Sequence, residues 1–99
     1  MSKHEIDGAE ITDWESFHKV FAEEFNFPDY YGRNMDAWND CMSDLGGEGE
    51  LISIYIRNVS QLKSSCREIY EALIECSAFV NYRFVSEGGA PLIALSYHE

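Results

Sequence analysis

No apolar run in this 99-residue chain approaches the roughly 20 consecutive residues that would span a bilayer. Its opening residues, Met1-Ser2-Lys3-His4-Glu5, run into polar sequence without the apolar stretch of a signal peptide, which predicts a cytoplasmic location. Proline is scarce, with two occurrences, and there is no repeat, low-complexity tract or linker. With 45% apolar and 14% aromatic residues, disorder is not expected, and residues 1–99 are expected to form a single domain around one core. Cysteine is present three times, at Cys41, Cys66 and Cys76, with no CxxC pair. An odd count without metal-ligand spacing argues against a disulfide framework and a zinc site, and each cysteine reads as a small reduced core residue. Basic residues are few. Seven Lys and Arg stand against 18 Asp and Glu, a net charge of −11 that disfavours nucleic acid and anionic membranes as direct partners and favours something basic.

Catalytic patterns are missing too. There is no Gly-rich phosphate loop, no G-x-S-x-G and no Cys–His pairing. His4, His18 and His98 are scattered and read as surface or packing residues. The residues imply no cofactor, no metal and no catalytic group.

What is present is a clear succession of elements. Residues 3–6 suggest a short strand followed by Asp7-Gly8 turn chemistry. Thr12-Asp13-Trp14-Glu15 reads as a capping box, with Thr12 as N-cap and Glu15 reaching back. Trp14, Phe17, Val20, Phe21 and Phe25 then follow at helical spacing up to Phe27-Pro28. After a short loop, Asn34 is a good N-cap for a second helix from Met35 to Leu45, stopped by Gly46-Gly47. Residues 51–56 are nearly continuous in apolar character and predict a strand covered on both faces. Ser65 to Glu68 offers another capping box, and Ile69, Ala72, Leu73, Cys76 and Val80 mark a helix ending near Asn81. A last buried strand is expected over 92–95. The order β-α-α-β-α-β implies an α/β fold, a small parallel sheet packed with helices.

The second helix breaks a local rule. At 100° per residue, Met35, Trp38, Cys41, Met42 and Leu45 fall on a side expected to face the core, and Asp36, Asp40, Ser43 and Asp44 on the other. Asp36–Asp40 and Asp40–Asp44 are like-charge pairs four apart, each costing roughly a few tenths of a kcal/mol. Arg33 alone offsets six acids between Asp29 and Glu50. Tyr30 and Tyr31 precede the helix, and Gly32 permits close backbone approach. Tyrosine beside a carboxylate patch is the composition of an interface anchor. A solvated polar face remains the plain alternative.

The run Phe27-Pro28-Asp29-Tyr30-Tyr31-Gly32-Arg33-Asn34-Met35-Asp36-Ala37-Trp38-Asn39-Asp40-Cys41-Met42 resembles the signature of the barstar family of ribonuclease inhibitors. The resemblance covers the first half of the chain by motif and the second by element order. It implies three parallel strands, about three to four helices, and a one-to-one complex between an otherwise monomeric inhibitor and a basic microbial ribonuclease. On that resemblance, Asp40 matches the acid that enters the enzyme's phosphate site, and Asp36 a second acid of the same face. Tyr30, Gly32 and Asn34 match contact residues around the helix start, and Ser43 a hydroxyl position. A glutamate of the last helix also contributes in the family, and Glu71 and Glu75 are the candidates. Two positions depart from the pattern. Asn39 stands where a tryptophan commonly precedes the Asp-Cys pair, and Leu45 replaces an aromatic residue. The segment 81–99 is also longer than in the founding member. An interaction or immunity module of the same fold, aimed at another basic protein or a nuclease toxin, is the alternative reading. An enzyme using Asp36 and Asp40 for acid–base chemistry or Mg²⁺ is a weaker one, since no second ligand set is visible.

Overall fold

The computed structural model describes residues 2–46 and 50–99. Strand β1 (Ser2–Asp7) leads through a 3₁₀ turn (Gly8–Glu10) into helices α1 (Trp14–Phe25) and α2 (Met35–Leu45). Then come β2 (Ile52–Arg57), α3 (Val59–Ser65), α4 (Arg67–Ser86) and β3 (Ile93–Tyr97). The strands form one parallel sheet in the order β1-β2-β3, with Ile6 opposite Ile56 and Ile52 opposite Ile93. This is the expected α/β architecture.

The sheet is covered on one face, not two. Ile52, Ile54 and Ile56 are buried, while Tyr55 and Arg57 between them are exposed. The apolar run misled because the outward residues found partners of their own. Tyr55 stacks on His98 at 3.7 Å, and Arg57 forms ion pairs with Glu5 and Asp7 of β1. Beneath the covered face lie Phe17, Phe21, Trp38, Met42, Leu62, Leu73 and Val80, all fully buried.

Three helix ends differ from expectation, each for a local reason. The α1 cap sits one residue later. Asp13 accepts from the Ser16 N–H at 2.8 Å, and the Ser16 hydroxyl takes the Thr12 and Asp13 N–H groups at 2.8 and 3.0 Å. The box proposed at Ser65 does not form, because Ser65 is the last residue of α3 and Cys66 makes the break without a side-chain cap. Helix α3 was not legible at all: its buried residues are Val59 and Leu62, too few for a periodicity. Helix α4 runs past Asn81 to Ser86, because the Asn81 amide is used sideways. Its oxygen accepts from Leu92 and Ile93 N–H at 2.9 and 2.7 Å, tying β3 to the helix.

Two glycines are required by close approach. A Cβ on Gly8 would lie 2.8 Å from the Asn58 carbonyl oxygen and 2.9 Å from that of Arg57. A Cβ on Gly46 would lie 2.6 Å from a Leu92 methyl and 2.9 Å from the Phe84 ring. Gly46 therefore ends α2 by packing, with φ −86°, and not by a left-handed turn. The second glycine of that expected stop, Gly47, lies outside the described residues.

Candidate functional site

The loop before α2 is held by a circuit of rings. Phe21 stacks on Phe25 at 5.7 Å, Phe25 on Phe27 at 6.1 Å, and Phe27 meets Tyr31 at 4.8 Å. Tyr31 closes the circuit on α1: its hydroxyl lies 2.6 Å from His18 Nδ1, and both side chains are buried. Tyr31 is thus a core residue, and its neighbour Tyr30 points outward, 85% exposed. Burial pushes the Tyr31 hydroxyl well above its ordinary pKa, so it stays protonated and can donate to the imidazole.

Burial, and then the positive charge of Arg33, hold His18 below its ordinary value of 6.5. A depressed folded pKa means that the unfolded chain binds the proton more readily. His18's stabilising share is therefore complete above pH 6.5 and is lost as the pH falls from there through the lower folded value. Urea unfolding at pH 8 and pH 5 should show a larger loss on acidification for the wild type than for His18→Gln. Equal losses would exclude a buried neutral imidazole at this position.

Helix α2 starts as expected. The Asn34 side chain accepts from the Ala37 N–H at 2.7 Å, and its amide donates to the Gly32 carbonyl at 3.4 Å. The cap fixes where the acidic face begins. Asp36, Asp40 and Asp44 are exposed, and a hollow of about 230 Å³ lies between the loop and the helix, lined by Tyr30, Tyr31, Gly32, Ala37, Asp40, Cys41 and Asp44. Trp38 and Met42 seat the opposite side fully in the core.

One position of α2 departs from the wheel, and one that the wheel left unassigned is settled by packing. Leu45 is 42% exposed and does not face the core. Gly46 takes the contact with Leu92 and Phe84 instead, and Leu45 borders a surface hollow with His4, Phe25 and Ile52. Asn39 is buried, because α2 packs on α4 along that edge. Its side chain meets Cys76 of α4, and its carbonyl accepts from the Ser43 hydroxyl at 2.7 Å. At this position the chain offers no partner an exposed side chain.

A residue absent from the sequence reading joins the site. Arg83 of α4 donates to Asp40 Oδ1 at 3.1 Å and to Ser43 Oγ at 3.2 Å. Its guanidinium lies 4.6 Å from the centre of the Phe79 ring. No local pattern could have flagged it. Of the two α4 glutamates, Glu71 is paired with Arg67 at 3.3 Å. Glu75 sits beside Met35 in a hollow of about 600 Å³ and acts with Asp36 on the Cys76 thiol. Burial is the first cause that pushes Cys76 up. The Asn39 amide offsets part of this, and Glu75 and Asp36 add to it. Cys41 is raised by burial and then by Asp44 and Asp40. All three cysteines are free, and these two stay as thiols.

Among the described residues no group of three or more His, Cys, Asp or Glu side chains could hold a metal, and no helix is long and apolar enough to cross a membrane. The family model for barstar, described as the barnase inhibitor, matches residues 1–95. A Bacillus subtilis (strain 168) protein, YrdF, named as a candidate ribonuclease inhibitor, is 44% identical over 43 residues. That match takes in 43% of this chain and 47% of the relative, so the chain aligns with about half of the relative's length. With the three-stranded parallel sheet, the Asn34-capped acidic helix and a family match over nearly the whole length, the chain belongs to the barstar family.

Proposed function

We propose that this chain is a cytoplasmic inhibitor that binds a basic microbial ribonuclease one to one and blocks its active site with the acidic face of α2. One observation carries the reading. Asp36, Asp40 and Asp44 stand exposed on a helix whose other side is buried through Trp38 and Met42, beside an almost fully exposed Tyr30. Like charges spaced one turn apart weaken an isolated helix, and a cationic pocket would turn that cost into attraction. A ribonuclease grips a phosphate with several cations, and fixed carboxylates offer the same charge and acceptor oxygens. The inhibitor is not consumed, because it presents no bond to cleave. The packed core orders the helix in advance, so little ordering cost remains for association.

Within this reading the contact residues are Tyr30, Gly32, Asn34, Asp36, Asp40 and Ser43, with Glu75 rather than Glu71 from α4. Glu75 is favoured because it shares the surroundings of Cys76 with Asp36, whereas Glu71 is engaged by Arg67. The experiment is titration with barnase, followed calorimetrically and by ribonuclease activity. Stoichiometric loss of activity is expected. Heat without inhibition would favour an immunity or interaction module for another basic protein, a reading to which the buried Asn39 and exposed Leu45 lend weight.

Gly32 provides a test separate from charge. A Cβ there would meet only Ala37 Cβ at 3.4 Å and Asn34 Nδ2 at 3.5 Å, ordinary contacts that the fold can accept. Gly32→Ala should therefore leave stability within about 0.5 kcal/mol. A partner packed on this exposed backbone would feel the added methyl at a cost on the order of 1–3 kcal/mol. Unchanged affinity for barnase would remove Gly32 from the interface.

A further inference from the structure

Asp40 is not bare in the free protein. Its carboxylate and the Ser43 hydroxyl, two of the proposed contact groups, are both held by one Nη atom of Arg83, at 3.1 and 3.2 Å. The Ser43 hydroxyl donates to the Asn39 carbonyl and accepts from Arg83. The guanidinium also lies over the Phe79 ring one helical turn earlier on α4, at 4.6 Å from its centre. Among the described residues, Arg83 is the one basic side chain within ion-pair distance of an α2 carboxylate; Arg57 and Arg67 pair with acids elsewhere.

We propose that Arg83 is an internal competitor for the partner's cation, a cap on Asp40 that sets how strong a cationic partner must be to bind this inhibitor. This rests on the proposed function in assigning the α2 face to binding. A cation approaching Asp40 meets a guanidinium already seated there, and binding is an exchange of one cation for another. The exchange is feasible because the pair is exposed, with the Asp40 side chain 71% and that of Arg83 39% accessible. A pair of that kind shifts an equilibrium by a factor of about two to five. Isolated surface cations, which bind weakly in any case, drop below useful affinity by that factor. A pocket with several convergent cations absorbs it.

The test uses two probes, barnase and a lysine octapeptide, with Arg83→Ala and Arg57→Ala compared. Both substitutions remove one positive charge, but only the first uncovers Asp40. Arg83→Ala should bind each probe about two- to fivefold more tightly than Arg57→Ala does, and the gain should vanish when Asp40→Ala is added. Circular dichroism and urea unfolding establish that each variant is folded. Equal affinities of the two variants for both probes, or weaker binding by Arg83→Ala, would overturn the inference. If barnase binds neither variant while the octapeptide shows the gain, the proposed function fails and the internal cap stands. If barnase binds but Asp40→Ala does not abolish the gain, the cap fails and the function stands.

Discussion

Asp40→Ala is expected to weaken binding to barnase by roughly 2–5 kcal/mol, at least a thirtyfold rise in Kd, with most of the change in the dissociation rate. That range is the general one for cutting a desolvated charge pair at one partner, and it owes something to measurements on this family's own complexes. The loss has two sources. One is the missing carboxylate. The other is the cationic pocket left unpaired after its water has been removed. Asp44→Ala, one turn further along and nearer the unfavourable C-terminal end of the helix dipole, should cost less and act mainly on the association rate. Calorimetry and stopped-flow association at two salt concentrations separate these effects, since charge steering is screened and a buried contact is not. A loss below twofold for Asp40→Ala would remove it as the anchor. The fold should be indifferent to the change. Asp40 is exposed, and its ion pair with Arg83 is of the solvent-screened kind, worth roughly 0–1 kcal/mol.

The largest stability effect is expected at Trp38. Its side chain is fully buried, packs edge-on against Phe21 with ring centres 5.7 Å apart, and seats α2 on the core. Trp38→Ala should cost about 3–5 kcal/mol, as truncation of a buried large aromatic does. Against a total stability of roughly 5–15 kcal/mol for a domain of this kind, that leaves a marginal fold. Trp38→Phe should behave differently. The indole Nε1 has no hydrogen-bond partner among the described residues, so phenylalanine removes a buried unsatisfied donor along with some apolar contact. These terms oppose one another, and a net change within about 1.5 kcal/mol is expected. Urea midpoints, with unchanged slopes as the check on two-state behaviour, measure both. A cost below about 1.5 kcal/mol for Trp38→Ala would mean that α2 is held chiefly through its other contacts. Binding should follow stability here, because the α2 carboxylates are displayed only while the helix is seated.

The division between what the chain announces and what packing decides is clear along α2. Its start at Asn34, its extent to Leu45 and the exposure of Asp36, Asp40 and Asp44 were all legible. They depend on a single capping side chain and on a 3.6-residue period, which are local physics. The strands of the parallel sheet were legible for the same reason. The wheel sets the angles of Asn39 and Leu45, but it cannot say which neighbour covers each angle. Contact of α2 with α4 turned Asn39 inward, and the close approach of Gly46 to Leu92 and Phe84 left Leu45 outside. The open face of the sheet was hidden as well, because Tyr55 and Arg57 found partners far away in the chain. Arg83 shows the same limit at the site itself. It is 43 residues from Asp40 in sequence, and only the packing of α4 beside α2 brings its guanidinium to that carboxylate. The sequence by itself determined the acidic helix, because caps and periodicity act within a few residues. Tertiary structure decided which of those acids is already paired, because an ion pair between distant residues exists only once two helices lie side by side.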